Sequence, residues 1–246
     1  MVCVGGATVD DHDPHRNSED SRMRKIPVYV FFGRPGSGKG ALSRLVRERC
    51  EAFPLSTGAA MTAWAEGPSP EQKALKAGLA RGEYGSDELA AGIVDDAMSN
   101  LPSSTPAVIF DGFPRNIGQF RAWIATSPAV FGALIDLPEA EAAARIAARL
   151  TCPADKRSGF PGETVCSCGR RMERRADDVD PKVVARRFEK YRETVPEVVA
   201  AWQAMGLPLR HIDNRGPVAV LRRAAAEMAV EIEARRPRQP TACRIW

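Results

Sequence analysis

The chain has 246 residues, 44% hydrophobic and 27% charged, with a net charge of +4, a balance that suits one soluble α/β domain carrying inserted lobes. The mild basic excess fits a small polyanionic substrate, and with no aromatic-rich basic strand motif a nucleic-acid partner is not expected. Six cysteines in a chain this long do not read as a disulfide scaffold, and there is neither an apolar run of the ~18 residues that a bilayer span needs nor a secretory leader, so a cytoplasmic protein with no membrane partner is expected.

In chain order, residues 1–26 form a polar extension in which Asp10, Asp11, Asp13, Glu19 and Asp20 outweigh Arg16 and Arg22. It holds too little apolar surface to offset the entropy of ordering and is expected to be disordered. Met23, just before the first strand, is a candidate start. Val28–Phe32 is an apolar run that predicts a buried strand, and 41–49 carries a helical apolar face. Phe53–Ser56 predicts a second strand, and a helical segment runs from there to about Trp64. Ser69-Pro70-Glu71-Gln72 is a helix start with a capping box. Gly82 to Gly85 breaks that helix, and Ser86 caps another that runs to about Asn100.

A third strand covers 107–110 and ends at Asp111, followed by a helix that holds Gln119 and Trp123. Residues 131–137 predict a fourth strand, and 139–150 an alanine-rich helix with Arg145 and Arg149 on one face. Residues 152–175 are irregular and strongly basic. A helix over 182–205, a fifth strand over 207–212 and a helix from Pro217 to about Arg235 complete a domain over 27–235, and 236–246 is a basic tail. Strands separated by helices predict a three-layer α/β/α fold with a five-stranded parallel sheet and right-handed crossovers. The intervals 57–86 and 151–177 break the rhythm and predict two inserted lobes at the sheet's C-terminal edge, where ligands of open α/β sheets bind.

Between the first strand and the first helix lies Gly33-Arg34-Pro35-Gly36-Ser37-Gly38-Lys39-Gly40. Strand, glycine loop and helix together make a phosphate cradle: glycines let backbone N–H groups close on an anion, the helix end adds positive charge, and Lys39 reaches the outer phosphates. The hydroxyl that usually follows the lysine in such loops is missing, because residues 40 and 41 are Gly and Ala.

Taken with this loop, Leu55-Ser56-Thr57-Gly58, Asp111-Gly112-Phe113-Pro114-Arg115, Arg145-Ile146-Ala147-Ala148-Arg149, Arg174-Arg175-Ala176-Asp177-Asp178 and Arg187-Phe188-Glu189-Lys190-Tyr191 resemble, in order, the adenylate kinase family of nucleoside monophosphate kinases. The resemblance implies a P-loop core with a mobile monophosphate lobe (57–86) and a mobile lid (151–177), and phosphoryl transfer from MgATP to a monophosphate such as AMP. It implies that Gly33, Pro35, Gly36, Ser37, Gly38, Lys39, Gly40 and Ala41 hold the ATP phosphates, with Arg145 and Arg149 at the donor side. It places Arg115 on the acceptor phosphate, brings Arg175 from the lid and Arg187 from the next helix, and gives Asp111 a water-mediated Mg²⁺. Arg186 competes with Arg187 for that role, because the count from Asp178 runs one residue long. Thr57, Gly58, Gly85, Gly112 and Gln119 would line the monophosphate pocket, with Gln119 reading the base. Family members of this kind suggest a monomer.

Three departures stand out. Thr62 occupies the place of an acceptor-phosphate arginine, for which Lys76 or Arg81 are candidate substitutes. Ala41 replaces a threonine. In the lid, zinc-bearing relatives have two CxxC pairs, whereas here Cys152 stands alone and Cys166-Ser167-Cys168 is one residue short, with Asp155 or Asp177 as a possible fourth ligand. Free thiols rather than zinc are the expectation. The alternatives to an AMP kinase are a CMP or UMP kinase, suggested by Asn116 and Trp123, and an ATP-binding protein with an impaired acceptor site; a kinase of a non-nucleotide metabolite fits the motifs poorly.

Overall fold

The computed structural model describes residues 26–80, 85–102, 104–125, 129–155, 157–175 and 178–236. The expected N-terminal disorder, the basic tail beyond Arg236, Arg81 and Asp177 all lie outside the described residues.

Five strands, β1 (Val28–Phe32), β2 (Phe53–Ser56), β3 (Val108–Asp111), β4 (Val130–Asp136) and β7 (Leu209–Asp213), form one sheet in the order β2-β3-β1-β4-β7. Every pairing is parallel. Such a sheet has to be covered on both faces, and the alternation along β1 shows how. Val28, Val30 and Phe32 face one core; Tyr29 and Phe31 face the other. The first core is closed by α2 (Thr57–Trp64), α3 (Pro70–Ala80), α4 (Asp87–Ser99), α5 (Ile117–Ile124) and α7 (Pro181–Ala204). The second is closed by α1 (Lys39–Arg47) and α8 (Ala219–Arg235). The predicted three-layer architecture and its five parallel strands are present.

Helix starts follow the side chains that satisfy their free N–H groups. Ser69 and Gln72 cap each other's backbone at 3.2 and 3.0 Å, as the sequence predicted for α3. Ser86 accepts from Leu89 N–H at the start of α4. Asp180 accepts from Lys182 N–H and Pro181 takes the first position of α7.

Several boundaries differ from the sequence reading by a residue or two, and three of them have a clear local reason. α1 begins at Lys39 rather than 41, so the lysine sits in its first turn. β4 ends at Asp136, paired with Asp213, because Leu137 turns into a small core with Ala142, Ile146 and Phe188. α6 (Glu139–Ala148) stops before Arg149, which is extended (φ −69°, ψ 129°), and Leu150 opens a two-residue strand, β5 (Leu150–Thr151). β5 pairs antiparallel with β6 (Glu173–Arg174), which closes the insert between α6 and α7. That insert rests on α1: the Arg44 guanidinium lies 3.7 Å from the Phe160 ring centre and donates to Ser158 O at 3.1 Å. Among the described residues no helix is long and apolar enough to cross a membrane.

Candidate active site

The glycine loop leaves β1, the central strand, and enters α1. Gly36 has φ +79°, and a Cβ there would lie 2.5 Å from Ala142 O, so only glycine fits both the backbone and the close approach of α6. Gly38, at φ +108°, is the residue before the first turn of α1. Gly33 carries a positive φ as well, and Gly40 is exposed. Pro35 is half-buried, Ser37 is buried, and Ala41 packs against the second core.

Lys39 Nζ folds back over the loop and donates to Gly33 O at 2.6 Å and Arg34 O at 2.9 Å. Burial of the ammonium pulls its pKa down to about 8; Asp111 acts against this, and Arg187 and Arg149 add to it. Asp111, Arg149 and Arg187 are thus the charges whose fields reach Lys39. Asp111 is exposed at the end of β3, where its carboxylate can serve a hydrated cation.

Asp178 organises the arginines. It is 4% exposed and accepts from Arg149 Nε and NH2, both at 2.7 Å, and from Arg187 NH1 at 2.9 Å. Burial raises its pKa, but the bonds and charges of Arg149 and Arg187 outweigh that and hold the carboxyl below its ordinary value. Arg187 is the helix arginine that pairs with Asp178, while Arg186 is exposed. Arg175 is exposed just before this turn, and its carbonyl accepts the Asp178 N–H at 2.9 Å. Arg145 NH2 donates to Asn214 O at 2.7 Å.

On the other side of the loop, Arg115 Nε donates to Gly112 O at 2.8 Å, and Gly112 has φ +82°. Gln119 is 5% exposed, and its Oε1 accepts the Arg115 backbone N–H at 2.9 Å. Thr57, 3% exposed at the start of α2, has a buried hydroxyl with no partner among the described residues. Gly58 follows it, its carbonyl taken by Thr62 Oγ1 at 2.8 Å. Gly85 lies against Leu89 and Leu75, whose methyl ends a Cβ would meet at 2.7 and 3.3 Å. Lys76 is exposed and paired with Glu66 at 2.6 Å, away from the role of an acceptor cation.

In the insert, one sulfur or carboxylate oxygen from each of Cys152, Asp155, Cys166 and Cys168 lies within 4.8 Å of the others. The Cys152 and Cys168 sulfurs are 3.6 Å apart, against an edge of ~3.8 Å for a tetrahedron with zinc–sulfur bonds of ~2.3 Å. Three thiols and a carboxylate are donors that zinc accepts, so the group fits despite its irregular spacing. Gly169, at φ +82°, turns the chain so that its N–H bonds Cys166 O at 2.8 Å.

Asp178 and Asn214 were not identified as functional from sequence. Asp178 lay inside a quoted motif, but nothing local said that it would be buried between two arginines.

The adenylate kinase family model matches residues 31–207. Curated relatives agree over most of their length. The chain is 29% identical over 199 residues to an adenylate kinase of Gemmatimonas aurantiaca, covering 77% of this chain and 92% of the relative. It is 30% identical over 211 residues to one of Rhizorhabdus wittichii (80% and 96%) and 31% over 194 residues to one of Beijerinckia indica (77% and 92%). With the parallel sheet, the glycine loop and the arginines gathered at its edge, these matches settle the family: the chain belongs to the adenylate kinases, nucleoside monophosphate kinases that transfer a phosphoryl group to a phosphate acceptor.

Proposed function

We propose that this chain transfers the terminal phosphoryl group of ATP to AMP, giving two ADP. The observation that carries the choice of base is the Gln119–Arg115 pair. Arg115 N–H occupies Gln119 Oε1, so the side chain presents its N–H₂ donors to a base. Adenine and cytosine each offer an unprotonated ring nitrogen on the pairing edge, whereas guanine and uracil carry N–H there; the choice of adenine over cytosine rests on Asn116 and Trp123. The two sequence features that suggested a pyrimidine are committed elsewhere. Asn116 caps α5 by accepting from Gln119 N–H at 2.8 Å and donates to Asp87 at 2.9 Å. Trp123 is 1% exposed in a cluster with Phe110 and Phe113.

In this reading the loop N–H groups and Lys39 hold the donor phosphates, and Arg149, Arg187 and Arg175 neutralise charge on the moving phosphoryl. Arg115 holds the acceptor phosphate and Arg145 the donor side. Asp178 keeps two of the arginines aligned before substrate arrives, which is how positioning lowers a barrier. Magnesium, held through Asp111, screens the phosphate charges when bound. Residues 57–86 and 151–177 act as lobes that close and exclude water, so that the monophosphate is the acceptor. The enzyme acts as a monomer. Zinc held by Cys152, Asp155, Cys166 and Cys168 would fasten the lid, a structural role supported by the gathered donors.

Gln119→Leu tests the base reading. The account expects the KM for AMP to rise at least tenfold with the KM for ATP little changed; equal KM values for AMP in both proteins would refute it.

A further inference from the structure

Asn214 follows β7 and is 1% exposed. Its position joins three parts of the donor side. Its backbone N–H bonds Asp136 O at the end of β4 at 2.9 Å. Its backbone carbonyl accepts from Arg145 NH2 at 2.7 Å. Its side-chain Nδ2 donates to Ser37 O, inside the glycine loop, at 2.7 Å. Contact with the loop is close enough that a Cβ on Gly38 would lie 2.8 Å from Nδ2.

The bond to Ser37 O has a consequence for the neighbouring amide. A trans peptide is planar, with its C=O and N–H on opposite sides. Pinning the Ser37 carbonyl toward Asn214 turns the Gly38 N–H the other way, away from Asn214. Gly38 is the residue before α1, and its N–H is among those a phosphate loop aims at its anion. Glycine is free to rotate about φ, so without the pin the Gly38 side of this peptide has no side chain to fix it.

We propose that Asn214 is a positioning residue for the ATP phosphates: its side-chain amide fixes the Ser37–Gly38 peptide, and its carbonyl fixes Arg145. This rests on the reading of the loop as the donor site. The amide's donor character is what matters, because Ser37 O is an acceptor and an acceptor at Nδ2 would repel it.

The test compares Asn214→Asp, which keeps size but replaces the donor with an oxygen, and Asn214→Ala. For the wild type and each variant, the KM for ATP at saturating AMP, the KM for AMP at saturating ATP, kcat and the melting temperature are measured. Direct ATP binding by calorimetry is added for each protein. Expected are a KM and a dissociation constant for ATP raised about tenfold in Asn214→Ala and more in Asn214→Asp, with the KM for AMP within twofold of wild type. An ATP affinity unchanged in a folded Asn214→Asp protein overturns the proposal. So does a parallel loss of affinity for both substrates, which would mark Asn214 as purely structural. Failure of wild-type protein to bind ATP at all would instead strike the donor-site reading, and the two failures are thereby separable.

Discussion

Arg149 lays both its Nε and NH2 on the carboxylate of Asp178, each at 2.7 Å, and Arg187 shares the same carboxylate at 2.9 Å. One buried anion thus sets the direction of two cations on different elements. In the proposed mechanism this removes part of the freedom those long side chains would otherwise lose on binding, so that the site is prepared for phosphate before phosphate arrives.

Asp178→Asn keeps the shape but removes the charge. Turnover should fall about 100-fold, because both arginines lose their alignment, and stability should fall by about 3 kcal/mol as a buried pairing is broken. Steady-state rates and denaturant titration check both. The Asp178 carboxyl is held below its unfolded value, so its stabilisation is present at neutral pH and is lost as pH falls through the folded-state value. The variant should therefore lose less stability than wild type on acidification below about pH 4.

Lys39 behaves in the opposite sense. Its folded pKa of about 8 lies below the ordinary 10.5, so the folded, ligand-free protein binds fewer protons than the unfolded chain between these values. Burial of the charged lysine costs stability below about pH 8, and that cost is relieved as pH rises through the interval. Lys39→Met should raise the melting temperature of the ligand-free protein at pH 7 while abolishing transfer. Wild-type affinity for ATP should weaken as pH rises through 8, and Lys39→Arg should lack that weakening. A wild-type affinity flat from pH 7 to 9.5 would contradict the assignment.

The loop, the sheet and the family were legible because their signals are contiguous: an apolar strand, glycines at fixed spacing, then an amphipathic helix. Capping by Ser69 and Gln72 was legible for the same reason. The clamp of Asn214 on Ser37 was not, since 177 residues separate the partners and nothing in either stretch announces the other. Counting could not choose between Arg186 and Arg187, and the preference for Arg187 in the proposed site rests on its pairing with Asp178. The gathering of the thiols was not legible from their spacing. A pair one residue short still brings its sulfurs together, because the fold of the insert, and not the spacing alone, decides where they point.

If the insert holds zinc, the purified protein should contain about one zinc per chain by elemental analysis, and Cys152→Ser should abolish it. A strong chelator should lower the melting temperature. Protein prepared with zinc present that carries no metal and is indifferent to chelation would return Cys152, Cys166 and Cys168 to the expected free thiols.

Thr62 bonds Gly58 O and offers no charge, and Lys76 is paired with Glu66. Thr62→Arg should lower the KM for AMP about tenfold or more, the worth of one charge-assisted contact to phosphate. An unchanged KM would mean that another cation already fills the place.

The most direct test of the account is the initial rate of phosphoryl transfer from MgATP to AMP, CMP, UMP and GMP, measured in parallel at equal concentration. The account predicts turnover with AMP at least tenfold faster than with any other acceptor. Preferential use of CMP or UMP, or ATP binding with no transfer to any of the four, would contradict it.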